Sequence, residues 1–447
     1  MKTMMKSVTS FTAVALALAG CGGTSGSTTE PARAADGNTV RTASSDAVSE
    51  AAHNAWQDGL AFFNQHETSD WDSGSCDTAA SKFENAAEAQ NKRFPEALYM
   101  AGLSHARCNE RDEALSFYNR ALSVNDHYCK ARVAIGVDQL AQNATDAARQ
   151  TFQRAIRDDI ACTEGYVNVA MLQRQSGTAA QLTEAIQNLR RALAVNSTYL
   201  PALNEMALIY YSQSDADPQR LDLASVVCRQ AQLINREYAP IYNTWGLINM
   251  KKGNINEAIR LFSRAAELDR GNFEANMNLG QITLSFRGYE DAQRSFARAV
   301  ELQARNYDAH IGLGMALRGL NRLDEAQREY EAARDIDATR PEAFFNLGIL
   351  TYSYRGGAIE HLRRAKEYFN EFLAKAASNP RYADNVQDVR RRCEQRTGRR
   401  RRLQSAQCRP GILQNIDTAI EALAAMANMP ATPAAPATPP AAPAPTR

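Results

Sequence analysis

The residues of this chain that could do chemistry are its eight cysteines, its six histidines and a run of arginines near the C-terminal end. A thiol can be acylated, oxidised to a disulfide or bound to a metal, and spacing separates these fates. Among Cys21, Cys76, Cys108, Cys129, Cys162, Cys228, Cys393 and Cys408 there is no CxxC pair, which speaks against zinc and against thioredoxin-type redox work. His53, His66, His105, His127, His310 and His361 lack the spacing of a metal set and are expected as surface or packing residues. No GxSxG, HExxH or phosphate-loop pattern occurs. Gly312-Leu313-Gly314 looks like half of a dinucleotide loop but lacks the third glycine, so helix packing is the expected explanation. No catalytic residue, cofactor or metal site is therefore predicted, and the chain is not expected to be an enzyme.

The arginines are Arg390, Arg391, Arg392, Arg396, Arg399, Arg400, Arg401 and Arg402. They read either as a solvated helix face or as a patch for an anionic partner, such as a phosphate-bearing lipid or an acidic protein. Over the whole chain 51 basic residues face 50 acidic ones, so nothing global points to nucleic acid.

The first twenty residues have the make-up of a targeting segment rather than of a folded element. Lys2 and Lys6 precede an apolar stretch from Phe11 to Ala19, too short to span a bilayer, which ends in Leu18-Ala19-Gly20-Cys21. This resembles the bacterial lipobox, which implies cleavage before Cys21 and diacylglycerol modification of its sulfur; the alternative is an ordinary signal peptide that happens to hold a cysteine. Gly22 after the cysteine resembles outer-membrane-sorted lipoproteins. Several acyl chains, at roughly 0.8 kcal/mol per buried CH₂, would anchor the protein stably. Residues 21–46 are Gly/Ser/Thr-rich and read as a flexible tether with a reach of about 25–30 Å.

The body of the chain, which must position everything else, is periodic. Small residues recur at Gly102, Gly136, Ala170, Ala207, Gly246, Gly280, Gly314 and Gly348, mostly 34 apart, with spacings of 37 and 39 where two units carry insertions. Twelve residues after most of them begins an alanine–large–alanine triad, as in Ala114/Tyr118/Ala121, Ala258/Phe262/Ala265 and Ala326/Tyr330/Ala333. Two units replace the aromatic residue, with Leu189 and Cys228. Asn125, Asp159, Asn196, Asn235, Asp269 and Asp337 close most of the second helices, where a turn is needed. Strand-type runs are nearly absent, so helices are expected throughout.

The pattern resembles the tetratricopeptide repeat. That resemblance implies an all-α solenoid of helical hairpins in a right-handed superhelix, with small residues where helix A crosses helix B and the large residue filling the hole between neighbouring repeats. About eight repeats span 93–378. A degenerate capping repeat spans 47–92, with helices near Ala52–His66 and Ala79–Gln90 and a longer loop holding Cys76. Residues 379–429 are expected to cap the other end through helices near Arg381–Arg396 and Ile412–Met429, joined by the Arg-rich turn. The Ala/Pro-rich tail, 430–447, is unlikely to pack. Solenoid geometry brings Cys76 near Cys108 and Cys129 near Cys162, Cys393 and Cys408 bracket the basic turn, and Cys228 falls in a core slot as a buried thiol; the alternative is that all stay reduced.

The family resemblance places binding on one face of the A helices. In the first half that face includes Tyr99, Leu103, Val133, Val137, Leu140, Val167 and Met171. It continues through Leu208, Tyr211, Leu247, Met250, Met277 and Leu284, then Ile311, Met315, Phe345, Ile349 and Tyr352. An apolar lining rich in Met and aromatics suits an extended or helical protein segment; the other reading is that part of the set packs between helices. Asn168, Asn278 and Asn346 match a position used by carboxylate-clamp members, yet Glu164, Glu274 and Glu342 stand where such members carry lysines. The expected function is a protein-binding scaffold lipoprotein of an envelope-spanning complex, on the periplasmic face of the outer membrane, with other envelope proteins as partners and membrane lipid held through Cys21. In plan it is similar to the lipoproteins of adventurous gliding-motility complexes. The alternatives are a pilotin-like lipoprotein for a type IV pilus secretin and an accessory subunit of a peptidoglycan enzyme or outer-membrane assembly complex.

Overall fold

Helices form here because good helix formers fill each segment while Asn, Asp, Gly and Pro gather at the joints. The computed structural model describes residues 32–33, 40–66, 71–355, 357–376, 378–394 and 407–427. These divide into two compact units, one ending at Arg270 and the other beginning at Gly271.

The first unit contains six antiparallel hairpins. Their helices are α1 (Glu50–His66), α2 (Ser73–Ala89), α3 (Pro95–Arg107), α4 (Arg111–Val124), α5 (Cys129–Ala141) and α6 (Thr145–Asp158). Then come α7 (Thr163–Ser176), α8 (Ala179–Val195), α9 (Leu200–Gln213), α10 (Arg220–Ile234), α11 (Ala239–Lys251) and α12 (Ile255–Leu268). The second unit holds three hairpins, from α13 (Phe273–Ser285), α14 (Tyr289–Leu302), α15 (Tyr307–Gly319), α16 (Leu323–Ile336), α17 (Glu342–Tyr354) and α18 (Ile359–Ala376). Odd-numbered members are the A helices and even-numbered members the B helices.

The periodic small and large residues form the core of each hairpin. A Cβ placed on Gly314 would lie 2.5 Å from the Tyr330 ring, and one on Gly102 would lie 2.6 Å from that of Tyr118, so only hydrogen fits at these two crossings of A and B. Phe296 lies against Gly280 of its own hairpin and against Gly312 of the next A helix, and so fills the hole between repeats. The two glycines of Gly312-Leu313-Gly314 are therefore both packing positions. At the B-helix ends, Asn125, Asp159, Asn196, Asn235 and Asp337 adopt extended backbone and accept the N–H two residues on, at 2.7–3.0 Å. These side chains make the turn by imitating a backbone carbonyl.

Three expectations change at the ends. Helix α2 starts at Ser73, capped by Asp72 with Ser75 returning the bond, so Cys76 sits in its first turn rather than in a loop. The tether does not run free to residue 46: Val40–Arg41 pairs with Ala32–Arg33, Thr42 is buried, and Val48 packs on the core around Trp56, Phe83 and Phe94. The helix expected over Arg381–Arg396 is shorter. A 3-10 turn, Pro380–Tyr382, leads into α19 (Ala383–Arg390), after which Arg391–Glu394 forms an antiparallel ladder with Gln407–Pro410. The ladder satisfies the backbone on both sides of the Arg-rich stretch. Helix α20 (Ile412–Ala427) then packs on α18, with Ile416 and Val389 buried beside Phe369 and Phe372. Cys21 and the residues of the C-terminal tail lie outside the described residues.

Candidate partner-binding face

The A-helix face divides by burial. In the first unit Tyr99, Leu103, Val133, Val137, Met171 and Leu208 are buried and belong to hairpin cores. Tyr99 sits between the rings of Tyr118 and Tyr128, 5.8 and 6.0 Å away. These residues, expected on the binding face, thus have almost no surface left for a partner. The apolar periodicity that marks the face is shared by the core-facing stripe, and the two overlap on a helix enclosed on several sides. Leu140, Val167, Tyr211, Leu247 and Met250 are half-buried instead. Lys251 Nζ lies 4.8 Å from the centroid of the Tyr211 ring, and burial pushes the Tyr211 hydroxyl pKa above its ordinary value.

In the second unit Met277, Leu284, Ile311 and Met315 are half-buried and rest on the core formed by Phe296, Leu313, Tyr330 and Leu347. Phe345, Ile349 and Tyr352 rest on the core that includes Val389 and Ile416 of the C-terminal cap, and Phe345 is 5.1 Å from the Phe372 ring. The clamp-position asparagines Asn168 and Asn346 donate back to the carbonyls of Glu164 and Glu342, each at 2.9 Å; Arg318 also donates to the Asn346 side-chain oxygen at 3.2 Å.

Polar groups inside the face act as staples between successive A helices. Arg174 on α7 pairs with Glu205 on α9, both nearly enclosed, and Thr244 on α11 donates to Asn204 on α9 at 2.7 Å. Arg340 lies 3.8 Å over the Tyr307 ring and makes two bonds to Asp308, at 2.7 and 3.0 Å, and one to Glu342 at 3.2 Å. Burial works to raise the Glu342 carboxyl, but the Tyr382 hydroxyl (2.6 Å) and Arg340 outweigh it and hold the pKa below the usual range.

The cysteines and histidines follow the same logic. Disulfides join Cys76 to Cys108 and Cys129 to Cys162, with Cα–Cα distances of 6.3 and 5.6 Å. Cys228 is a buried thiol whose pKa burial raises far above the ordinary value. Cys393 stands directly opposite Cys408 in the C-terminal ladder. His310 is raised by its 2.7 Å bond to Glu329, against desolvation, and its other nitrogen meets the Ala304 carbonyl at 3.0 Å. His105 bonds to Glu110 at 2.7 Å with Asp77 nearby, and that bond keeps the Glu110 carboxyl low. Of the arginine patch, Arg390 is exposed at the end of α19 and Arg391 and Arg392 lie on the ladder; Arg396, Arg399, Arg400, Arg401 and Arg402 fall outside the described residues.

One site has no sequence signal. Glu96, in the first turn of α3, is buried under residues 42–44, where its Oε1 accepts the Ala43 N–H at 2.6 Å while Asn125 donates to the Ala43 carbonyl at 3.1 Å. Gln90 holds the Ser49 N–H (2.9 Å) and the Ala47 carbonyl (2.7 Å). The N-terminal segment is thus held by its backbone across the start of α3 and the C-terminal ends of the B helices α2 and α4, as an extended ligand would be. Burial lifts the Glu96 pKa to about 7. Its partner segment is 53 residues away in sequence, so no local pattern could have announced the contact.

Tetratricopeptide-repeat profiles match residues 68–127, 283–341 and 239–272. Tetratricopeptide repeat protein 1 of Schizosaccharomyces pombe is 28% identical over 120 residues, which is 27% of this chain and 11% of that relative, so the chain spans about a tenth of its length. Among solved structures, YrrB, described as a TPR protein with an unusual peptide-binding site, is 21% identical over 45% of this chain and 100% of its own, with a TM-score of 0.38. A thermophilic TPR protein of Thermus thermophilus is 22% identical over 42% and 99%, with a TM-score of 0.38. Pseudomonas aeruginosa pilF is 16% identical over 50% and 96%, with a TM-score of 0.41. The described helices are hairpin stacks of the tetratricopeptide-repeat fold, a fold that commonly serves protein–protein interaction, and three stretches of the sequence match that repeat directly.

Proposed function

We propose that this chain is a non-enzymatic scaffold that holds partner proteins at the outer membrane, anchored through an acylated Cys21 and working in an envelope-spanning machine of the gliding-motility kind. The observation that carries the binding part is the half-buried apolar row on A helices within each unit: Tyr211, Leu247 and Met250 in the first, Met277, Ile311 and Met315 in the second. The flexible methionines adapt their shape to a protein segment, and the rigid Tyr211 ring adds contact area at little entropic cost. The lipobox-like Leu18-Ala19-Gly20-Cys21 supports the membrane part.

Crosslinking in intact cells, followed by isolation from membranes, tests both parts. Motility-complex proteins should be recovered with the wild-type chain, and the Cys21→Ser chain should leave the outer-membrane fraction. Recovery of a secretin would move the assignment to pilus assembly, and recovery of synthases or barrel-assembly proteins to those complexes. Turnover of an envelope polymer by the isolated protein would overturn the scaffold reading.

A further inference from the structure

The C-terminal cap is thinly held. Among its described residues Val389 on α19 and Ile416 on α20 are the buried apolar side chains, both beside Phe369 and Phe372 of α18. The ladder joins the two cap helices: its first strand follows α19 directly, and only Gly411 separates its second strand from α20. Two strands and four residue pairs make a sheet that is marginal in water without further support. Its own residues do not supply that support. Neither Arg391-Arg392-Cys393-Glu394 nor Gln407-Cys408-Arg409-Pro410 contains a β-branched or aromatic residue. Arg392 stands opposite Arg409, a like-charge pairing that weakens a sheet. At the next pair the register sets Cys393 opposite Cys408.

We infer that a third disulfide, Cys393–Cys408, supplies the missing support and clasps the cap to the end of the second unit. Directly paired residues of an antiparallel ladder lie about 4.5–5.5 Å apart at Cα, inside the range of about 4.4–6.8 Å that a disulfide spans. The bond therefore forms on the ladder as it stands. No other thiol among the described residues competes for either cysteine. Cys76, Cys108, Cys129 and Cys162 are used in two bonds, and Cys228 is buried in its own hairpin. The step is an exchange with a disulfide-bearing oxidant. One cysteine thiolate attacks a sulfur of the oxidant to give a mixed disulfide, and the second thiolate displaces the oxidant from it. The two thiols lose two protons and two electrons, which the oxidant takes up as a dithiol. The bond closes a loop of 15 residues, from 393 to 408, and so lowers the entropy that the cap gains on undocking.

Trypsin cuts after the arginines that lie between the two cysteines, so Cys393 and Cys408 leave the chain on different peptides. The full chain, incubated with oxidised glutathione and then alkylated in denaturant, should yield these two peptides as one species. That species should be two hydrogens lighter than the two free-thiol peptides together, and reductant should separate it. The outcome does not depend on where the protein resides. Cys393→Ser with Cys408→Ser should raise hydrogen exchange across 383–390 and 412–427 about 100-fold, with α13 and α14 unchanged. Cys393→Ser alone, which keeps one thiol but no bond, should match the double variant. Alkylation or glutathione adducts on both cysteines would overturn the inference, and so would a bond from either to another cysteine or to a second chain. A bond whose removal leaves exchange in the cap unchanged would show that it clasps nothing.

Discussion

Glu96 carries the chemistry that depends most on its surroundings. In the first turn of an A helix it would ordinarily be a solvated carboxylate favoured by the helix N-terminus. The segment lying over it removes water, and its Oε2 is left without a partner. Because its folded pKa of about 7 lies above the ordinary 4.5, the stability it confers is fully present below about 4.5 and is lost as pH rises through about 7. Between pH 5 and 8 the wild-type Tm should therefore fall, and hydrogen exchange at residues 42–49 should speed up. Glu96→Gln, neutral at every pH, should flatten both profiles; an unchanged slope would remove Glu96 from the account. Gly314 makes a second residue-scale case, this time steric. A methyl group there meets the Tyr330 ring, so Gly314→Ala should cost about 1–3 kcal/mol in a denaturant titration despite its better helix propensity. The glycine's importance was legible from its recurrence, whereas the burial of Glu96 was not legible at all.

Helices and their joints were the most readable level. The 34-residue recurrence placed the repeat hairpins, because a helix must present its small residue once per unit at the crossing. The Asn and Asp closures were readable too, although they act as side-chain acceptors in extended backbone. The cysteine pairs followed once the hairpins were placed, since each bridge joins points about one repeat apart in sequence, 32 and 33 residues. Cross-linking loops of that length contributes about 4 kcal/mol in the chain-entropy account. Cys129→Ser with Cys162→Ser should accordingly lower the denaturant midpoint of the first unit and raise hydrogen exchange in α5, α6 and α7. Distant α12 should be spared, because repeats are coupled mainly to their neighbours. Element ends were less readable. The segment Arg391–Glu394 has helix-compatible residues, and only its ladder partner Gln407–Pro410, beyond the Arg-rich stretch, turns it into a strand.

For the whole molecule the question is which apolar residues hold the fold and which remain for a partner. Tyr211→Asp with Met250→Asp in the first unit, or Met277→Asp with Met315→Asp in the second, should weaken partner binding by at least about tenfold while circular dichroism holds. Tyr99→Asp or Val137→Asp should instead unfold their hairpins, because both are buried. Collapse of helicity in the first set would mean that those side chains also belong to the core. The sequence by itself determined the helical hairpins, the lipobox-like start and the polar closures, because each depends on residues within one repeat length. Tertiary structure alone decided which half of the A-helix face stays open and that residues 40–49 lie down on the first repeats. Those outcomes depend on which surfaces meet, and burial is a property of pairs of elements that no single segment encodes.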